Sequence, residues 1–381
     1  MKASMRVMTV VGTRPEFIQT APFSKRLRAR GHQEIFIHTG QHYDTNMSDV
    51  FFEDLRLPVP DLWLGAGGRT HAEQTGEMLI KLEQAMREYQ PDWVVVFGDT
   101  NSTVAAALAA AKLTIPLAHI EAGLRSFDRA MPEEVNRVVT DHLAAVLFAP
   151  TDAAVGNLTI EGLAARARLV GDVRVDLLAD LAPVVAARWP DLRERLQLVE
   201  GEPFALATIH RASNTDDPDS LGAIVDALSS LPLQVVLPVH PRLRKMLTQF
   251  DFQLGQSVVE VEPLGYLDML TVLTACRVVI TDSGGLQKES YMLRRPTVTV
   301  RTTTEWIETV NAGWNRLSEI DAVAVRQAVD EALLPPPISH PDFYGSPGVC
   351  DRIVETLERV DLTTNYKSVA PFQPAKANGT S

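Results

Sequence analysis

The chain has 381 residues, well past the roughly 250 at which a single hydrophobic core stops growing, so two domains are expected. Hydrophobic residues make up 45% and charged residues 22%, which excludes a disordered or membrane-embedded class and leaves material for large cores. The formal charge is 36 − 48 = −12 and no long basic block interrupts it, so nucleic acid and anionic membrane are disfavoured as partners.

An anionic small molecule would need arginines placed locally. Cys276 and Cys350 are the two cysteines, too few for a disulfide framework or a cysteine metal site. Met1–Val11 leads directly into an apolar strand without an export signal, and no apolar run approaches the ~18 residues of a membrane span. A cytoplasmic protein is expected.

Short β-branched runs alternate with amphipathic stretches, the pattern of a parallel sheet with crossover helices. In chain order come a strand at 6–11, a helix at 17–30, a strand at 34–38, a helix at 71–89 and a strand at 93–97. They are followed by an alanine-rich helix at 102–112, a strand at 115–120, a helix from Glu133, and strands at 146–150 and 168–171. A second series of strands occupies 204–209, 234–239, 257–262, 277–282 and 296–301. The pattern predicts two α/β lobes, residues 1–172 and 173–348. The helical stretch between the two series, Asp172–Pro203, is expected to end around Trp189-Pro190 and Gly201-Glu202-Pro203 and to serve as a hinge. A helix at 349–361 follows, whose return to the first lobe the sequence leaves open, and then a polar tail at 362–381.

In an open parallel sheet, ligands sit beyond the carboxyl ends of the strands, and polar residues cluster there in this chain. After the first strand, GTRPEFIQTAP (12–22) offers Gly12 for a tight turn, Arg14 as a guanidinium fork and Pro15 as a helix start. Equally, Arg14 could cap a neighbouring helix or pair with Glu16. GDTNST (98–103) places Asp99 beside helix-capping hydroxyls. EAGLRS (121–126) and MPEEVNR (131–137) add Glu121, Glu133, Glu134 and Arg137 at the same edge. Carboxylates gathered in this way raise one another's pKa, which suits proton transfer. Of the two adjacent glutamates, Glu134 is expected to be structural, in the first turn of a helix.

In the second series, ATIHRASNTDD (207–217) and LPVHPRLRK (237–245) place His210, Arg211 and His240 directly after strands. A metal site is disfavoured, because no second histidine lies one helical turn away. TDSGGLQKES (281–290) presents Ser283, Gly284 and Gly285 at a helix N-terminus suited to a diphosphate, with Glu289 one turn in to accept ribose hydroxyls. The bland alternative is a glycine pair required only for tight packing.

GTRPEFIQTAP, GDTNST, HIEAGLRS, MPEEVNR, HRASNTDD, PVHP and TDSGGLQKE occur in an order that resembles the non-hydrolysing UDP-N-acetylglucosamine 2-epimerases over residues 6–315. The resemblance implies two Rossmann-like lobes facing across a cleft, the glycosyltransferase B-type fold, with UDP held mainly by the C-terminal lobe. It implies elimination of UDP through a 2-acetamidoglucal and its re-addition, with no redox cofactor, in a homodimer. It makes Asp99, Glu121 and Glu133 the candidate acid/base groups and sets His210 near the leaving diphosphate. Arg14, Gln19, Arg137, Arg211, His240, Ser283, Gly284, Gly285 and Glu289 form the implied substrate-binding set.

Four positions depart from the family pattern: Gln19 replaces a lysine, Trp306-Ile307 stands where many members show Arg-Pro, and Thr302 stands where an aspartate is common. The segment 38–52 also differs from the form associated with an allosteric UDP-N-acetylglucosamine site, although Gln41, His42, Gln74 and Arg211 remain. HYDTNMSDVFF, RSFDRAMPEE and TEW resemble the branch acting on UDP-2,3-diacetamido-glucuronic acid, the rival substrate. A hydrolysing epimerase, a glycosyltransferase of the same fold and a non-catalytic sensor are the other readings.

Overall fold

The computed structural model of the chain describes residues 4–41, 52 and 54–360. His42, most of the 38–52 motif and the tail at 362–381 lie outside the described residues. The chain divides into two compact units: residues 4–41, 57–173 and 348–360 form the first, and residues 174–347 with 52 and 54–56 form the second.

The first unit runs β1 (Arg6–Val11), α1 (Arg14–Ala29), β2 (Gln33–His38), β3 (Leu62–Trp63), α2 (His71–Tyr89), β4 (Trp93–Phe97) and α3 (Asn101–Lys112). It continues through β5 (Leu117–Ile120), α4 (Pro132–Leu143), β6 (Val146–Ala149), α5 (Asp152–Ile160) and β7 (Ala167–Leu169). The second unit begins with α6 (Arg174–Arg195), β8 (Phe204–Thr208), α7 (Ala212–Thr215), α8 (Pro218–Ser229), β9 (Gln234–Pro238), α9 (Pro241–Gln249) and β10 (Val258–Val261). There follow α10 (Tyr266–Ala275), β11 (Val278–Thr281), α11 (Gly284–Met292), β12 (Thr297–Val300), α12 (Ile307–Asn311), β13 (Asn315–Ser318) and α13 (Ala322–Leu333); the last helix, α14 (Val349–Arg359), belongs to the first unit.

Both sheets are parallel, with strand orders β3-β2-β1-β4-β5-β6-β7 and β10-β9-β8-β11-β12-β13. Each is the doubly wound order, which reverses direction once: between β1 and β4 in the first sheet, and between β8 and β11 in the second. In a sheet of this order, ligands bind at the carboxyl edge where the strand order reverses. The edge strands β3 and β13 are not anticipated from the sequence, because LW is two residues long and NRLS is largely polar. The helix after residue 173 also runs on past Trp189-Pro190 to Arg195. Pro183 and Pro190 each lack one N–H donor, but both sit on the outer side of a helix whose Leu177, Leu181, Val185 and Leu192 are buried.

The strands are apolar along their length because both faces are covered, as WVVVF in β4 illustrates. On one side of the first sheet, Met8, Val10, Ile35, Val94 and Val96 meet Met78 and Leu82 of α2 and the alanines of α3. In the second sheet Val235, Leu237, Val278, Ile280 and Val298 pack with Leu221, Ile224, Leu228, Val325 and Val329. Helix α14 packs on α1. It buries Ile353, Val354 and Leu357, while Arg30 grips Glu358 through two hydrogen bonds of 3.0 Å and Arg352 donates to the carbonyl of Val170.

At the β1/β4 reversal the two loops are tied by one buried carboxylate. Glu16 Oε2 accepts from the backbone N–H groups of Gly12 (2.6 Å) and Thr13 (2.8 Å), and Oε1 accepts from the Thr100 hydroxyl (2.6 Å). Burial pushes the pKa of Glu16 up to about 7, against the downward pull of Thr100, Gly12, Thr13 and Thr103. A Cβ at Gly12 would lie 2.1 Å from Thr39 Oγ1 and 2.2 Å from Ser102 Oγ, so a side chain there would force both hydroxyls out of place.

Truncating the fully buried Ile353 to alanine should cost about 2–5 kcal/mol in chemical denaturation, as expected for a core cavity. Glu16 binds its proton more tightly folded than unfolded, so stability should fall as pH rises from about 4.5 to about 7, by an amount on the order of 3 kcal/mol. Glu16→Gln should flatten that slope in urea titrations at several pH values; an unchanged slope would assign the pH dependence elsewhere.

Candidate active site

In the first unit, Asp99 follows β4 and Glu121 follows β5, on adjacent strands. Gly98 has φ +58° and its N–H donates to the carbonyl of Ile120, which sets the Asp99 loop beside the Glu121 loop. Glu121 itself lies in the left-handed region at φ +69°, a strained setting for a residue with a side chain and one common at functional sites. Gln19 reaches from α1 to donate to Glu121 Oε2 at 2.5 Å. Arg137 on α4 pairs with Asp99 and also with Glu134 at 2.9 Å, while Asn136 donates to the Asp99 carbonyl.

Burial raises the pKa of Asp99; Arg137 pulls it down, but the negative charges of Glu121 and Glu133 add to the rise. Asp99, Glu121, Glu133 and Arg137 therefore share one electrostatic neighbourhood. Glu133 is exposed at the start of α4, and Arg14, the first residue of α1, is partly exposed at the β1 end of the same edge. Glu134 is otherwise engaged: its carboxylate accepts from the N–H groups of Ser126 and Phe127 and from the Ser126 hydroxyl, and so shapes the loop before α4.

Beneath these loops lies a charged network that motif reading did not single out. The ring nitrogens of the fully buried His119 face Asp141 and the Gly98 carbonyl, both at 2.7 Å. Arg125 bridges Asp141 and Glu161 at 2.7 Å each, and Asp141 also accepts from the Gly123 N–H. Burial alone would raise Asp141, but His119 and Arg125 outweigh it and hold the carboxyl below the ordinary aspartate value. The network fixes Gly98 and Gly123, and with them the flanks of Asp99 and Glu121. The available signal was a histidine inside the otherwise apolar strand LAHI.

In the second unit the loops after β8 and β11 meet at the sheet's reversal, and the buried carboxylate of Asp282 joins them. It accepts from the N–H groups of His210 and Arg211, from Asn214 Nδ2 and, at 2.8 Å, from His210 Nδ1. Burial raises Asp282, yet His210 and the backbone donors bring its pKa below the usual aspartate value. This contact orients His210 and leaves Nε2 as the outward nitrogen of a half-exposed ring. His240 caps α9, accepting from the Arg242 N–H, with its ring 6.2 Å from that of His210. Asp282, like the His119 network, is not among the residues singled out by motif, although it stands directly before Ser283.

Ser283 caps α11, and Gly284 and Gly285 open the helix. Packing does not require these glycines: a Cβ at Gly285 would meet nothing within 4 Å, and one at Gly284 would lie 3.5 Å from Glu305 Oε2. Glu305 pairs with Arg301 and lies 3.8 Å from Arg211, and the indole N–H of Trp306 donates to the Gly284 carbonyl. Glu289 is buried and accepts from the Tyr266 hydroxyl at 3.2 Å. Among the described residues no group of three or more His, Cys, Asp or Glu side chains could hold a metal, and no helix is long and apolar enough to cross a membrane.

Residues 25–358 match the family model for UDP-N-acetylglucosamine 2-epimerase. A UDP-N-acetylglucosamine 2-epimerase homolog from Methanococcus maripaludis is 45% identical over 82% of this chain and 88% of its own length. The UDP-2,3-diacetamido-2,3-dideoxy-D-glucuronate 2-epimerase of Pseudomonas aeruginosa is 41% identical over 93% of this chain and 100% of its own. The crystal structure of the Methanocaldococcus jannaschii UDP-GlcNAc 2-epimerase in complex with UDP-GlcNAc and UDP superposes with a TM-score of 0.81 at 38% identity, covering 93% of this chain and 99% of that one. Two doubly wound parallel sheets, carboxylates at the reversal of one, a histidine and an open glycine turn at the reversal of the other, and likeness along nearly the whole length agree: the chain belongs to the UDP-N-acetylglucosamine 2-epimerase family.

Proposed function

We propose that the protein interconverts UDP-N-acetylglucosamine and UDP-N-acetylmannosamine without hydrolysis. The observation that carries this reading is the gathering of Glu121, Glu133 and Arg137 about Asp99, whose pKa burial raises. Inversion at C2 requires a group to remove the C2 proton and a group to return one to the opposite face. As the proton leaves C2, the bond from C1 to the diphosphate oxygen breaks, and a 2-acetamidoglucal and UDP result. Re-addition of UDP to C1 with protonation of C2 completes the exchange, so atoms and charge balance without a redox partner.

The second unit suits the leaving group. The N–H groups of the Ser283–Gly285 turn, Arg211 and His240 would take the diphosphate charge, and Glu289 would accept hydrogen bonds from the ribose hydroxyls. His210, steadied through Nδ1 by Asp282, would offer Nε2 to the departing oxygen. A relative solved with UDP-GlcNAc and UDP supports a UDP-sugar as the ligand. A cytoplasmic homodimer is part of the same reading.

A second substrate is favoured by a specific observation. The Pseudomonas aeruginosa relative, named for UDP-2,3-diacetamido-2,3-dideoxy-D-glucuronate, aligns over its full length. Gln19, Thr302 and Trp306 are the positions where the chain leaves the commoner family pattern. The chemistry at C2 is the same for either sugar.

Incubation of each UDP-sugar in D₂O, followed by NMR, reads reaction and substrate together. Expected are deuterium at C2 and a mixture of the two epimers; recovery of unlabelled, unchanged sugars from folded protein would overturn the proposal, and free N-acetylmannosamine would indicate hydrolysis instead. Asp99→Asn and Glu121→Gln should each lower kcat by about 10²–10⁴-fold, the range for loss of a general acid or base. Full activity in both variants, with transfer of the sugar to an acceptor, would point to a glycosyltransferase.

A further inference from the structure

Gln19 sits on α1 almost wholly buried, 2% exposed, and spends one N–H on Glu121 Oε2 at 2.5 Å. Its carbonyl oxygen is also buried and has no hydrogen-bond partner among the described residues. An unsatisfied buried acceptor costs on the order of 1–3 kcal/mol, so its retention beside the carboxylate group calls for a physical reason. While Glu121 is ionised the amide cannot turn to relieve it, because Oε1 would then face a carboxylate oxygen. Once Glu121 carries a proton the situation reverses: the new O–H needs an acceptor, and a half-turn of the amide supplies one.

We propose that Gln19 is a positioning residue that serves both protonation states of Glu121, donating to the carboxylate and, after its amide turns, accepting from the carboxylic acid. The inference rests on the reaction proposed above, in which a carboxyl group takes a proton from C2 and a proton is later returned. An amide carries both a donor and an acceptor, whereas a lysine at this position could only donate and would favour the ionised form alone. Glu121 is held at φ +69° directly after β5, and the hydrogen bond from α1 helps to orient its carboxyl group. Asp99 after β4 and Arg137 on α4 both interact electrostatically with Glu121, and Asp99 in turn feels Glu133. Gln19 adds a two-way hydrogen bond to this balance and no charge.

The test compares wild type with Gln19→Lys, Gln19→Glu and Gln19→Met, following the pH dependence of kcat and deuterium exchange at C2 with whichever UDP-sugar the wild type turns over. Lysine should move the acidic limb of the kcat profile to lower pH by about one unit, and glutamate should move it to higher pH by a similar amount. Methionine, close in size but unable to form the hydrogen bond, should lower kcat about tenfold with KM within about twofold. Limbs that stay together in the lysine and glutamate variants, or wild-type kcat in the methionine variant, would overturn the inference. Thermal unfolding of each variant separates loss of fold from loss of positioning, and the methionine variant decides the matter if either charged side chain is not accommodated. Failure of the wild type to exchange deuterium at C2 would count against the reaction itself, whereas exchange with unmoved limbs counts against Gln19 alone.

Discussion

A parallel sheet whose strand order reverses once leaves a gap between two diverging loops, and polar side chains must close that gap if the loops are to hold a shape. In the first unit Glu16 does this from below, one oxygen on the Gly12 and Thr13 N–H groups and the other on the Thr100 hydroxyl. The start of α1, which carries Arg14 and Gln19, and the loop that carries Asp99 are thereby fixed to each other. The electrostatic cost is visible in the same group, since burial drives its pKa to about 7 despite its donors. Desolvation is tolerated there because the alternative, unpaired backbone N–H groups at a sheet edge, is also costly.

The second unit solves the same problem with a different residue. Asp282 stands after β11 and accepts from the N–H groups after β8, so a carboxylate again bridges the two strands that flank the reversal. Here the bridge also reaches His210 Nδ1, and the donors hold the aspartate ionised. Glu16 is fully enclosed and turned toward backbone and hydroxyls, whereas Asp282 orients a ring that faces outward. In the first unit the orienting role passes to a third layer, His119, Asp141 and Arg125, which supports the flanks of Asp99 and Glu121 without occupying the edge itself.

Much of this was legible in the order of residues. Alternation of apolar runs such as RVMTVV and WVVVF with amphipathic stretches reports a two-sided buried parallel sheet, and residues directly after those runs must fall at its carboxyl edge. The placement of Asp99, Glu121, His210 and Ser283 follows from that rule alone. The edge strands β3 and β13 were not legible, because a two-residue or polar strand has no periodicity to detect and exists only through pairing with β2 and β12. The continuation of α6 through two prolines was hidden as well, since burial of its apolar face offsets the lost N–H donors.

The sequence by itself determined which chemistry is available: acid/base carboxylates, an anion-fitting glycine turn and histidines at strand ends, because residue type and position after a strand are local properties. Only the tertiary structure decided how those groups are partnered. Glu134 is consumed by Ser126, Phe127 and Arg137, whereas its neighbour Glu133 stays exposed; Asp282 and His119 act as supports, and Gln19 meets Glu121 across 102 residues of chain. Hydrogen bonds and charge pairs depend on distances between segments remote in sequence, and those distances are set by the order and register of the strands.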